Sequence, residues 1–320
     1  MDKKQVVKYV FLFIFLAATV LFCSYRFGKW KYQETYSMED LYSQITEDNM
    51  NFKKHGYYVM DFDPSGLDYF TIEDNAVETD PYKGCNLYGY EYTYKIKDGR
   101  YYVDIEYSYY LNKIKYFLAD MRISLICSKI KDLSDYEKVK AVHDYIVRYC
   151  EYSYAGSGAY NTLYQGLSAC NGYALSFFRI MEKSGIPVTF EVGGNHAWNK
   201  VCLDGYWYNI DLTWDDLGGK EVSYKYFLKS DADWEGHEHG GADAPASYEI
   251  TGKSAEEYYK MFPHYQLYYY LCIIAFSAIV IVLASMIWYK NNKRKSAEKR
   301  AKRDAEYEAF LNSRNKDDIY

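Results

Sequence analysis

The sequence lacks a concentrated basic face, a paired-cysteine motif and any internal repeat, and each absence removes a class of function. With 38 Lys and Arg against 44 Asp and Glu, the 320-residue chain has a formal charge of −6. Its one basic block is confined to residues 290 to 303. Phosphate-backbone binding needs clustered lysine and arginine on one surface, so nucleic acid is excluded as a partner. No C-x-x-C occurs among the seven cysteines, which removes zinc sites built on paired cysteines. Cys23 and Cys272 fall in apolar runs, leaving Cys85, Cys127, Cys150, Cys170 and Cys202. Outside the cell, an odd set leaves at least one thiol unpaired unless a bridge forms between chains. Without a repeat at solenoid or propeller periods, the chain reads as an ordinary globular fold.

Long hydrophobic runs are also few, and the two present are of membrane length. "YVFLFIFLAATVLFCSY", Tyr9 to Tyr25, is uncharged and close to the roughly 17-residue lower limit for a spanning helix. "LYYYLCIIAFSAIVIVLASMIWY", Leu267 to Tyr289, is longer and has aromatics at both ends, as interfacial belts do. The first run reads as a signal anchor, because no small-x-small cleavage site follows it. Directly after the second run, "KNNKRKSAEKRAKR" is far more basic than the "SAEEYYKMFPHYQ" before the run, so the positive-inside rule puts the C-terminal tail in the cytoplasm. A multi-pass protein of the cell membrane is expected, with residues 28 to 262 extracytoplasmic. The tail reads as a charged helix of mixed-sign faces.

What the chain has in excess is tyrosine, 41 residues that raise the aromatic fraction to 20%. Such rings pack while their hydroxyls stay wet, which suits half-buried strands and cleft walls. Residues 28 to 84 give mixed signals and no assignment. "LYGYEYTYKIK" and "YYVDIEYSYYL" alternate around "DGR" and predict a β-hairpin. Helical spacing follows from about Lys113 to Asp132, then a second helix opened by Ser134 and Glu137 as a capping box. A third helix, from about Ala169 to Lys183, stops at Gly185 with Pro187 beyond. "VTFEVGG", "HAWNKVCL" and "YWYNIDLTW" then predict three strands, the last two joined by Asp204-Gly205.

Counting outward from that turn pairs Leu203 with Tyr206, and so Trp198 with Asp211 and His196 with Thr213. Period-two alternation puts all four of the latter on one face, with His196 and Asp211 diagonal and their Cβ atoms about 7 Å apart. Cys170 stands at the N-terminus of the third helix, where the macrodipole favours a thiolate and free N–H groups face any oxyanion before the sulfur. A nucleophilic thiol needs a lowered pKa, a base and a group that orients the base. Cys170, His196 and Asp211 are those three residue types.

"ACNGYA", "NHAWNKVCLDGYWYNIDLTWDD" and "YFLKSD", in this order over about residues 131 to 235, resemble the transglutaminase-like superfamily. The resemblance implies a papain-related α+β core, with the cysteine helix packed on an antiparallel sheet. It implies Cys170 as nucleophile, His196 as base and Asp211 as third member, and its short Cys-to-His spacing is that of bacterial envelope members. There is no counterpart of the calcium-binding arrangement of the large animal cross-linking enzymes, and no cofactor or metal is expected.

The expected fold class is therefore α+β, a transglutaminase-like core between two transmembrane helices. The expected divisions are an anchor at 1–27, an α+β region with a hairpin at 28–130 and the transglutaminase-like domain at 131–250. A juxtamembrane linker at 251–266, a span at 267–289 and a cytoplasmic tail at 290–320 complete the chain. The implied activity is cleavage or transfer of an amide acyl group on a peptide or protein substrate, hydrolysis being preferred to cross-linking. A noncatalytic binding module, or a redox sensor pairing Cys170 with Cys202 or Cys150, are the rival readings.

Around the three central residues, Gln165 is a candidate oxyanion donor, and Tyr173 and Asn195 are candidate supports. Trp198 is the expected cleft wall, while Trp207 and Trp214 read first as packing. His143 reads as a helix-face residue. His237 and His239, near Asp231, Asp233 and Asp243, read as a solvated polar loop rather than a metal site.

Overall fold

A computed structural model describes residues 32–237, 241–262 and 265–317 of the chain. The apolar run Tyr9–Tyr25, and with it the expected anchor, lies outside the described residues, as does His239. The chain divides into a unit that ends at Phe262 and one that begins at Pro263.

The region that the sequence left unassigned folds as strand, helix, strand, helix: β1 (Gln33–Glu34), α1 (Met38–Met50), β2 (His55–Met60) and α2 (Tyr69–Thr79). Ser37 and Asp68 open the two helices by accepting from the N–H groups of Asp40 and Thr71. The predicted hairpin follows as β3 (Leu87–Lys97) and β4 (Arg100–Tyr109). Asp98 and Gly99, both at positive φ, make its turn, a conformation whose twist matches the strands it joins. The sheet order is β1-β2-β4-β3. Its inner face closes over Leu41 and Ile45 of α1 and Ile72 of α2 with Tyr58, Val103 and Ile105.

Three helices and a second sheet carry the site. α3 (Lys113–Ile130) is opened by Asn112, and α4 (Asp135–Tyr149) by the Ser134–Glu137 capping box, with both reciprocal bonds formed. A short parallel pair, β5 (Glu151–Tyr152) with β6 (Leu167–Ser168), leads into α5 (Cys170–Lys183). α5 buries Tyr173, Phe177, Ile180 and Met181 against its neighbours and stops at Gly185, whose φ of +77° suits a residue without Cβ. β7 (Val188–Gly193), β8 (His196–Leu203) and β9 (Tyr206–Ile210) form an antiparallel sheet in that order, with α5 packed on it. α6 (Ala255–Met261) closes the unit on α4, burying Tyr258.

The β8–β9 ladder has the predicted register, from Leu203↔Tyr206 to Asn199↔Ile210. The third strand is shorter than expected, however. It ends at Ile210, and the Asp211 N–H donates to the Tyr226 carbonyl at 3.0 Å instead of continuing the pairing. Thr213 consequently lies in a turn and is not the cross-strand partner of His196.

In the second unit, α7 (Tyr265–Asp317) is one helix through the predicted span and most of the tail. The expected boundary at 289/290 is therefore a change of composition, not a break. Its segment Ile273–Arg300 is long and apolar enough to cross a bilayer, and it is the one such helix among the described residues.

Candidate functional site

Cys170 is the first residue of α5, behind Ala169 in extended conformation. Alanine has no side-chain acceptor, so the first-turn N–H groups are not capped by the residue that usually does so. Burial pushes the Cys170 thiol up, but the His196 imidazole, the Ala197 and Asn171 backbone N–H groups and the charge on His196 outweigh it. The net shift is downward. Burial pushes the Cys85 and Cys150 thiols the other way, up to about 12, and raises Cys127. These four cysteines and Cys202 are all free.

His196 enters β8 from a two-residue turn, Gly194-Asn195, with φ of +54° and +67°. That left-handed pair brings β7 back antiparallel and sets His196 as the strand's first residue. Asn195 is exposed in the turn, and its contribution is this backbone conformation. His196 Nε2 lies 2.6 Å from Asp211 Oδ2, which leaves Nδ1 for the sulfur. Burial opposes a charged ring, yet Asp211 and Cys170 together raise the His196 pKa to about 9. Asp211, 1% exposed, also accepts on Oδ1 from the N–H groups of Thr213 (2.8 Å) and Trp214 (3.2 Å). Burial penalises its charge, but hydrogen bonds from His196 and His237, the charge on His196 and the Trp214 N–H hold its pKa below the usual carboxylate range.

The structure adds a residue that the sequence reading placed in solvent. The His237 side chain is only 3% exposed, and its Nε2 lies 3.0 Å from the same Asp211 Oδ2. Its ring is walled by Trp214, Trp198 and Trp234, at centroid distances of 4.3, 4.5 and 4.5 Å. The polar run "WEGHEHGGAD" masked this, since only the tryptophan three residues earlier hinted at an inward loop. The acids beside it serve as loop pins: Asp231 accepts from Asn209 and Ala242, Asp233 from Ser247, and Asp243 from the Trp207 N–H.

Among the described residues, His196, Asp211 and His237 bring ligand atoms within 4.8 Å of one another and could hold a metal ion. Tetrahedral zinc spaces its ligands by about 3.3 Å. The 2.6 and 3.0 Å separations here are those of hydrogen bonds to one shared oxygen.

The remaining candidates are distributed differently from expectation. Trp198 is in the core at 3% exposure, although its ring stacks toward His196 at 6.1 Å. Trp214, 5.4 Å from the His196 ring and 37% exposed, is the aromatic wall that meets solvent. Gln165 is exposed, and its amide oxygen accepts from Asn161. Tyr173 is buried and donates to Asp216 at 2.6 Å.

The profile of the transglutaminase-like superfamily matches residues 126–212, the stretch that carries Cys170, His196 and Asp211. This segment is a transglutaminase-like domain. Two of the solved structures similar to this chain are as follows. One is a TGase crystal structure, 18% identical, with a TM-score of 0.29, the match covering 56% of this chain and 59% of that one. The other is a candidate cysteine protease from Cytophaga hutchinsonii, 14% identical, with a TM-score of 0.27, the match covering 40% of this chain and 66% of that one. The chain thus spans about three fifths and just under two thirds of their lengths. No curated protein matches its sequence.

Two further features hold the transglutaminase-like site in place. Gly172 is required by space, since a Cβ there would stand 1.9 Å from Ser168 Oγ and 2.6 Å from Thr162 Oγ1. Behind Asp211, His143 lies on a face of α4 that is fully buried. Its Nδ1 meets Asp144 at 2.9 Å and its Nε2 meets Asp215 at 3.1 Å. Lys140 bonds to Asp144 at 2.7 Å, and Asp215 accepts from the Tyr226 N–H at 2.9 Å. Because Tyr226 in turn receives the Asp211 N–H, this cluster fixes the turn that presents the site carboxylate.

Proposed function

We propose that the chain is a membrane-anchored thiol enzyme of the transglutaminase-like class that acts on an amide outside the cytoplasm. The observation that carries this reading is His196, bonded through Nε2 to Asp211 and also hydrogen-bonded to Cys170, with the thiol pKa lowered and the imidazole pKa raised to about 9. A thiolate–imidazolium pair is the reactive form of a cysteine nucleophile. The Cys170 thiolate attacks a carboxamide or peptide carbonyl, and the oxyanion forms before the uncapped start of α5. The His196 imidazolium gives its proton to the departing amine, the C–N bond breaks, and a thioester remains on Cys170. Water, deprotonated by neutral His196, then attacks the thioester carbonyl, releasing the acid and returning the thiol.

An amine could take the place of water and give a new amide. Hydrolysis is the preferred outcome, because His196 and Trp214 both reach solvent, which gives water access to the thioester. We take the catalytic domain to run from 131 to 250 on the outer side, with α7 spanning the membrane and its basic continuation inside. The test uses the detergent-solubilised full chain at neutral pH. An electrophilic thiol probe should label Cys170 far faster than the other cysteines, with loss of that labelling in Cys170→Ala. A labelled amine with protein acceptors then separates incorporation from cleavage. Equal labelling of all thiols, with neither product formed, would leave a noncatalytic binding module.

A further inference from the structure

α3 is apolar on two sides. One side carries Ala119, Ile123, Ile126 and Ile130 into the core. On the other, Ile114, Phe117, Met121 and Leu125 are 69%, 62%, 46% and 48% exposed. At 100° per residue these four fall within an arc of about 80°, a ridge roughly 17 Å long. Ser124 and Ser128 are the small residues that share it. Scattered exposed hydrophobes need no explanation, but four large ones in register on a single helix face mark a contact surface.

The surroundings of the ridge indicate what covers it. Lys113 and Lys129 stand exposed at its two ends, and Tyr110, 49% exposed, precedes it. The one acid of the helix, Asp120, is turned aside into an ion pair with Lys183 at 2.8 Å. A second copy of the chain is a poor occupant. Two α3 helices packed ridge to ridge bring lysine against lysine whether they run parallel or antiparallel. Four side chains also fall well short of the ~800 Å² per partner of a stable interface. An apolar ridge with lysines and aromatics at its margins is instead the pattern of a helix lying on an anionic lipid surface. A helix able to cross a bilayer follows shortly after this unit in the same chain, so the surface would be met at high local concentration and a small contact would suffice.

We propose that the exposed face of α3 seats on the headgroup–acyl boundary of the membrane in which α7 is anchored, docking the catalytic unit on anionic lipid. This rests on the anchoring reading of α7. The test reconstitutes the full chain in nanodiscs of phosphatidylcholine and phosphatidylglycerol doped with a diazirine-tailed phospholipid, followed by photolysis and peptide mapping. Lipid adducts on both α7 and the Lys113–Ile130 peptide are expected. The α3 adducts should fall about tenfold or more in a Phe117→Glu, Met121→Glu variant while those on α7 persist. Both substitutions are on exposed side chains, and undiminished α7 labelling reports that the variant is inserted. Replacing phosphatidylglycerol with phosphatidylcholine should weaken α3 labelling alone. Adducts on α7 without α3 would overturn the docking and leave the anchor standing, whereas their absence from α7 would overturn both. Chain-to-chain cross-links through α3 in place of lipid adducts would assign the ridge to a second copy instead.

Discussion

Two of the histidines that meet buried aspartates, His143 and His196, differ in how many ring nitrogens those aspartates take. His143 gives both nitrogens to carboxylates, Asp144 and Asp215, with Lys140 balancing the charge, and the whole group is sealed from water. His196 gives one nitrogen to Asp211 and keeps the other for a sulfur at the surface of the fold. The aspartates raise the pKa of both rings against the penalty of burial. The same pairing therefore makes a strut in one place and, in the function proposed above, a proton carrier in the other. A histidine held on one side only has a proton to move.

Breaking each pairing should have opposite signatures. His196→Gln keeps the fold and should lower amide turnover by about 10²–10⁴-fold, as loss of a general acid–base does. His143→Leu leaves two carboxylates and a lysine buried without their balance and should cost about 3–5 kcal/mol in urea denaturation. The residual folded protein should still label at Cys170. If His143→Leu were thermodynamically silent, or His196→Gln fully active, the division between strut and carrier would be wrong.

The pH dependence sharpens the comparison further. Amide turnover should fall above pH about 9 as the His196 imidazolium is lost, whereas alkylation of Cys170, which needs only the thiolate, should persist. Asp211→Asn should move the alkaline limb of turnover to lower pH, because the carboxylate that holds the charge is gone. For stability the sign is that of a raised histidine. The contribution of His196 is full below its unfolded pKa of about 6.5 and is lost as pH rises through about 9.

His237 should give the smallest effect. His237→Phe removes one of four donors from Asp211 and makes the carboxylate a stronger partner for His196. The alkaline limb should then move upward, with less than about a tenfold loss of turnover. His237→Gln keeps a donor and should stay near wild type. A pH–rate profile unchanged by His237→Phe would reduce that residue to packing.

The central pair was legible in the sequence because a hairpin is a counting device: once Asp204-Gly205 is read as the turn, the positions of His196 and Asp211 follow, and the β8–β9 register agrees. The capping box at Ser134 and the stop at Gly185 were readable for the same reason, each being set by neighbours in the chain. What escaped was long-range. His143 meets Asp215 at a separation of 72 residues, and nothing local announces that pairing. His237 sits in a run whose polarity is that of a solvated loop, although the tryptophans that enclose it come from three separate segments. The end of β9 at Ile210 was missed because Asp211 bonds to Tyr226, a partner outside the hairpin count. The strand at His55–Met60 was hidden because β2 pairs with a strand about forty to fifty positions on.

The alanine before the cysteine has one further consequence. A serine or aspartate at position 169 would close the start of α5 and stabilise it by about 1 kcal/mol. It would also take up the amide hydrogens that an anionic intermediate needs, and an aspartate would set a negative charge beside the sulfur. The chain keeps a helix end that is slightly weaker than it could be, and in the function proposed above the opening left there receives an oxygen belonging to another molecule.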